Sequence, residues 1–162
     1  MKLVFQLIIL VVFLLPVHQS PAQDVRFISL PELKGILDQK SDSVKVINFW
    51  ASWCKPCVDE IPYFMQLKND WKNRKVEWIF VSVDFVREHN DVLEKVTELK
   101  LDGELYQVNE KGDNWIDQVD TKWSGAIPYT LLIEPDGERS AQYFSFASYS
   151  DLKKFIEKKI PN

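Results

Sequence analysis

The sequence predicts an α/β fold: a central mixed β-sheet flanked by helices on both faces. Three observations lead there. Two apolar runs, Val44 to Ala51 and Val76 to Asp84, have the length and continuity of strands buried on both sides. Segments with apolar residues at helical spacing follow them, first Ile61, Phe64, Leu67 and Trp71, then Val92, Leu93, Val96 and Leu99. Late in the chain, Glu134-Pro135-Asp136-Gly137 has turn chemistry between two strand-like runs. Strands alternating with helices imply parallel pairing through crossovers, and a hairpin adds antiparallel pairs.

The chain has 162 residues, enough for one domain, and its hydrophobic content of 46% and aromatic content of 13% support a real core. The net charge is −4 and no basic tract is present, so nucleic-acid binding has no support. The start has its own character. Met1-Lys2 is a short positive region, Leu3 to Leu15 is apolar apart from Gln6, and Ser20-Pro21-Ala22 offers small residues before a cleavage point. Residues 1–22 are expected to be a secretory signal peptide and residues 23–162 the folded domain. The alternative is an uncleaved N-terminal membrane anchor, although the apolar run is short for a bilayer span of about 20 residues. No cysteine follows the run, which argues against a lipoprotein anchor there. Either way the domain is expected outside the cytoplasm, in the periplasm or cell envelope.

The elements can be justified in order. Val25 to Ile28 is a short strand candidate. Ser29 and Glu32 form a capping box, and Leu33, Ile36 and Leu37 give one apolar face, so a helix is predicted over 30–38. After the strand Val44–Ala51, Pro56 suits the first turn of the next helix, where the N–H it lacks would be unpaired in any case. Pro62 lies inside that helix and is expected to kink it. Following the strand Val76–Asp84, Asn90 or Asp91 can cap the next helix. Leu105 to Val108 reads as a short strand and Asn114 to Asp120 as a helix. Trp115 and Trp123 are core residues or line a surface near the active site. The hairpin pairs Tyr129–Ile133 with an edge strand Ser140–Phe146. Ser148 or Ser150 caps a last helix carrying Leu152, Phe155, Ile156 and Ile160, which Pro161 ends.

The chemistry concentrates in Asn48-Phe49-Trp50-Ala51-Ser52-Trp53-Cys54-Lys55-Pro56-Cys57, which holds both cysteines of the chain. Cys54 falls where strand gives way to helix. Unpaired N–H groups and the helix dipole favour an anion there, and Lys55 adds a positive charge, so the thiol is expected to ionise readily. Cys54 is thus the expected exposed attacker and Cys57, one turn inside, its buried partner. Two other readings stay open. A zinc site needs about four ligands, and beyond this pair the chain offers only His18 and His89. A structural disulfide would close a very short loop, where the entropic gain is smallest.

Phe49-Trp50-Ala51-Ser52-Trp53-Cys54-Lys55-Pro56-Cys57 resembles the active site of thioredoxin-fold proteins. The continuation Val58-Asp59-Glu60-Ile61-Pro62 is similar to extracytoplasmic thiol-disulfide reductases of the TlpA/ResA type, and Gly125-Ala126-Ile127-Pro128-Tyr129-Thr130 is similar to their cis-proline loop. The resemblance spans about Val25 to Ile160. It implies a thioredoxin-like fold with an inserted helix and strand before the cis-proline loop, a redox pair Cys54–Cys57, and no cofactor or metal. Glu60, near Cys57, would move protons or raise the thiol pKa values, Trp53, Lys55 and Pro56 would shape access, and the backbone of Ile127 beside Pro128 would pair with an extended substrate. Asn48 stands where many thioredoxins carry an aspartate, so it is a non-ionising member of the site or a hydrogen-bonded core residue.

The resemblance further implies reduction of disulfides in exported proteins, apocytochrome c among them, with electrons from a membrane thiol-disulfide donor. Alternatives are an oxidant that installs disulfides and a non-enzymatic binding module. A peroxidase is disfavoured because no Thr-x-x-Cys precedes Cys54.

Overall fold

A computed structural model describes residues 24–160. The expectations for residues 1–22, for His18 and for Pro161 lie outside the described residues. The elements run β1 (Arg26–Ile28), α1 (Leu30–Asp38), β2 (Val44–Trp50), α2 (Lys55–Asp70), β3 (Val76–Ser82), a 3-10 turn (Val86–Glu88), α3 (His89–Leu99), β4 (Glu104–Val108), α4 (Ile116–Val119), β5 (Tyr129–Ile133), β6 (Arg139–Gln142) and α5 (Tyr149–Glu157).

The six strands form one mixed sheet in the order β1-β4-β3-β2-β5-β6. β2 pairs in parallel with β3 and antiparallel with β5, so the strand that leads to the cysteines is central. All seven residues of β2 are buried, as its unbroken apolar character required. Alternation along β2 divides the core. Val46 and Trp50 face α2, α3 and α5 with Ile61, Phe64, Val96 and Leu152. Ile47 and Phe49 face α1 and α4 with Leu33, Val119 and the two tryptophans Trp115 and Trp123.

Local chemistry explains most boundaries. The main-chain N–H of Ser29 and its hydroxyl both donate to Glu32 at 2.8 and 2.5 Å, starting α1 at the predicted residue. Lys45 is buried, and its ammonium donates to the carbonyls of Ile36 (2.6 Å) and Gln39 at the other end of that helix. The main-chain N–H of Gly137 donates to the carbonyl of Glu134 at 2.8 Å, closing the predicted hairpin turn.

Several predicted ends move. β2 stops at Trp50 and β3 at Ser82, because Ala51 and Asp84 leave the sheet for the turns beyond. α3 starts at His89, so Asn90 and Asp91 lie inside its first turn and are not its caps. The 3-10 turn before it delivers the chain already wound. The helix predicted over 114–120 is one turn, Ile116–Val119. The edge strand ends at Gln142 because Phe146 turns its N–H to Glu60 in place of a strand neighbour. Ser148 caps α5, its hydroxyl accepting from the N–H of Asp151 at 3.2 Å, and Ile160 packs on the core beyond the helix end.

Candidate redox site

The turn after β2 is short and tightly bonded. The N–H of Cys54 donates to the carbonyl of Ala51 at 3.1 Å, and Cys54 becomes the N-cap of α2 with φ −83° and ψ 97°. Its sulfur accepts from the N–H of Cys57 at 3.3 Å, and its carbonyl accepts from Val58 at 3.0 Å. Pro56 occupies the first turn, where the N–H it lacks would have had no partner within the helix. The helix end thus points a donor at Cys54 Sγ, the arrangement that stabilises a thiolate.

The two sulfurs are bonded to each other, with Cα atoms 5.3 Å apart. Among the described residues no group of three or more His, Cys, Asp or Glu side chains is clustered for a metal. Cys57 is fully buried. Cys54 is only 5% exposed, which corrects the expectation of an exposed thiol, although it remains the more accessible residue of the pair. Lys55 extends its ammonium into solvent, where it pairs with Asp59 at 2.8 Å and is screened by water.

Beneath the pair lies a buried polar network. Asn48 shares the α2 face of β2 and is fully buried. Its amide donates to Glu60 Oε1 and to Thr130 Oγ1, both at 3.0 Å. Glu60 Oε2 accepts the main-chain N–H of Phe146 at 2.8 Å. Glu60 is 1% exposed, so its carboxyl belongs to the core and not to a solvated helix face. Burial pushes its pKa up to about 7, against the opposing pull of the Phe146 N–H and the Asn48 amide. Thr130 was not legible as a partner; its signal is the register that sets it opposite Asn48 on β5.

The Ile127–Pro128 peptide is cis. Phe49 pairs with Tyr129, so the strand register places Pro128 at the same end of the sheet as the exit from β2 to Cys54. The loop before it is shaped by Trp123, whose indole N–H donates to the carbonyl of Ala126 at 2.7 Å and whose ring stacks on Tyr129 at 4.4 Å. A cleft of about 250 Å³ opens beside the site, lined by Trp53, Phe85, Val86, Trp115, Trp123 and Ile127 among others. Trp53 and Phe85 are about two-thirds exposed at its rim, whereas Trp115 and Trp123 are buried. Both readings of the two tryptophans therefore hold, since they are core residues and also line the cleft.

Sequence reasoning missed a second buried carboxylate. Asp84, just past β3, is 2% exposed and accepts from the N–H of Ser52 (3.0 Å), the hydroxyl of Ser52 (2.5 Å) and the hydroxyl of Ser82 (2.7 Å). The only sequence signal was a Ser-x-Asp at a strand end.

Comparison with known proteins follows the same lines. A family model described as AhpC/TSA family matches residues 16–149. The thiol-disulfide oxidoreductase ResA of Bacillus thuringiensis (strain Al Hakam) is 28% identical over 119 residues, covering 71% of this chain and 62% of that protein. ResA of Geobacillus kaustophilus (strain HTA426) is 29% identical over 132 residues, covering 79% and 71%. The chain thus spans less than two-thirds of the length of the first of these relatives. Among solved structures, a thiol:disulfide interchange protein described as a thioredoxin family protein, from Chlorobium tepidum TLS, superimposes with a TM-score of 0.62 at 20% identity, covering 79% of this chain and 85% of that one. The shared fold is thioredoxin-like, as the mixed sheet with flanking helices implies.

Proposed function

The chain belongs to the AhpC/TSA family, and we propose that it is a thiol-disulfide oxidoreductase that reduces disulfides of exported proteins, in the manner of TlpA/ResA-type reductases. The observation that carries this reading is the Cys54–Cys57 disulfide closed across the first turn of α2, with the Cys57 N–H on Cys54 Sγ. In the reduced protein the Cys54 thiolate attacks one sulfur of a client disulfide. A mixed disulfide forms and the other client sulfur leaves as a thiolate. Cys57 loses its proton and attacks Cys54 Sγ. The second client thiolate leaves, and two electrons have passed to the client as the Cys54–Cys57 bond forms. Glu60, buried beside this pair in sequence and poised near neutral pH, takes the Cys57 proton.

Recognition uses the cleft beside the pair. An extended client segment pairs with the backbone of Ile127 at Pro128 and rests on Trp53, while an apolar side chain enters the cleft. The domain, residues 23–162, works outside the cytoplasm after export directed by residues 1–22, cleaved or kept as an anchor. A membrane thiol-disulfide donor returns electrons to the pair. Apocytochrome c is a client of the right chemistry, since its cysteine pair must be reduced before haem attachment.

Trapping tests the reading. Cys57→Ser in the native host is expected to accumulate mixed disulfides between Cys54 and client proteins, and Cys54→Ser to abolish exchange. Absence of any trapped protein with Cys57→Ser, together with full exchange activity in Cys54→Ser, overturns it.

A further inference from the structure

Asp84 belongs to no step described above, yet its carboxylate is buried at the point where the redox turn meets the cleft wall. The main chain of β3 and β2 is joined there, the N–H of Val83 donating to the carbonyl of Trp50 at 2.9 Å. From that junction the Asp84 side chain reaches Ser52, two residues before Cys54, and takes both its N–H and its hydroxyl. Ser82 supplies the third donor and its oxygen accepts the Asp84 N–H at 3.1 Å. The backbone of Asp84 is pinned from the other side. Gln107, fully buried on β4, donates its amide to the carbonyls of Asp84 (3.2 Å) and Phe85 (3.0 Å). Those two acceptors fix the amide's orientation, so its oxygen faces His89 Nδ1 at 2.6 Å and receives that ring's proton.

No lysine or arginine pairs with Asp84 among the described residues. Its charge is balanced only by hydrogen bonds from two serines, in a buried setting where charges are felt strongly. A negative charge close to a thiol disfavours the thiolate. Disfavouring the thiolate weakens the reduced state relative to the disulfide, which makes the pair a better electron donor. A strong oxidant shows the opposite arrangement, in which the reduced form is the stabilised one.

We propose that Asp84 is a positioning residue that clamps the Ser52 turn under Cys54 and whose buried charge biases the Cys54–Cys57 pair toward donating electrons. The inference rests on the thiol-disulfide reading of the pair and gives it a direction.

The equilibrium of the purified protein with a glutathione redox buffer, together with the pH profile of Cys54 alkylation by iodoacetamide, tests it. Asp84→Asn removes the charge and is expected to shift the equilibrium toward the dithiol by about threefold or more, which is about 14 mV at 29.6 mV per tenfold, and to move the alkylation profile to lower pH. Ser52→Ala strips one hydrogen bond from the carboxylate, leaves its charge less balanced, and is expected to shift both readouts the other way. Simple loosening of the turn would move both variants in one direction. No shift in folded Asp84→Asn, or shifts of the same sign in the two variants, overturns the inference. If Asp84→Asn does not fold, Ser52→Ala decides alone, and a shift toward the dithiol or no shift overturns it. A wild-type pair that does not exchange with glutathione at all would instead overturn the underlying thiol-disulfide reading.

Discussion

Phe146 and Glu60 meet across the α2 face of the molecule: the main-chain N–H of Phe146 donates to Glu60 Oε2 at 2.8 Å, binding the approach to the last helix to the helix that carries the cysteines. Neither residue could change its state without the other registering it, and the first prediction follows from this contact.

Glu60 should make stability fall as pH rises. In the unfolded chain the carboxyl ionises near its usual 4.5, whereas in the folded protein it holds its proton to about 7. Between those values the folded state binds more proton than the unfolded state, so stability declines with pH and levels off above about 7. The gap corresponds to about 3 kcal/mol at 1.36 kcal/mol per pH unit. Urea midpoints measured across this range should show the decline in the wild type and a flatter profile in Glu60→Gln.

Asn48→Asp should expose the same network from the other side. The substitution replaces the amide donor 3.0 Å from Glu60 Oε1 with a second carboxyl. Two buried carboxyls in contact cannot both ionise cheaply, and they titrate as a coupled pair. We expect a loss of about 2–4 kcal/mol at pH 8, largely recovered near pH 5, where the two can share protons. Denaturant unfolding at the two pH values checks this.

Trp53→Ala should leave the fold alone and weaken recognition. The ring is 66% exposed, so stability should stay within about 0.5 kcal/mol of wild type. Losing its contact with a client should cost about 1 kcal/mol of binding, roughly fivefold in KM for insulin disulfides with kcat held. Exchange with glutathione, too small to use the rim, should not change.

Gly125→Ala should destabilise the cleft floor. Gly125 has φ 85°, and a Cβ there would lie 2.8 Å from Ile116 Cδ1. The backbone conformation alone should cost about 1–2 kcal/mol. Adding Ile116→Ala removes the clash but not the backbone cost, so urea midpoints of the double variant should show no more than the clash component recovered.

The readable parts of this chain are those whose signal is local. β2 and β3 announced themselves as continuous apolar runs, α1 by its Ser29–Glu32 box, and the redox turn by a strand that stops at Cys-x-x-Cys. The cis-proline block was legible only by likeness, because about 5% of X–Pro bonds are cis and nothing in Ile127-Pro128 itself marks it. What stayed hidden depends on residues far apart in sequence. Thr130 on Asn48, Phe146 on Glu60 and Asp84 on Ser52 are contacts made only once the chain is folded, and each joins segments that carry no mutual pattern. The start of α3 was misread because Val86 to Glu88 winds as a 3-10 turn, with the N–H of Phe85 before it held by the Glu88 carboxylate at 3.2 Å, a competing local bond that displaced the cap expected at Asn90 or Asp91.

Trp123 belongs to the inner packing and to the hollow beside the cysteines at once: it is stacked on Tyr129, it holds the Ala126 carbonyl, and it lines the cleft. A lineage altering its choice of partner could not rework that floor without unsettling the sheet behind it. Variation is cheap only around the mouth, at Trp53, Phe85 and Val86, where side chains stand in solvent. Descendants of this protein should therefore diversify at the lip and keep the floor.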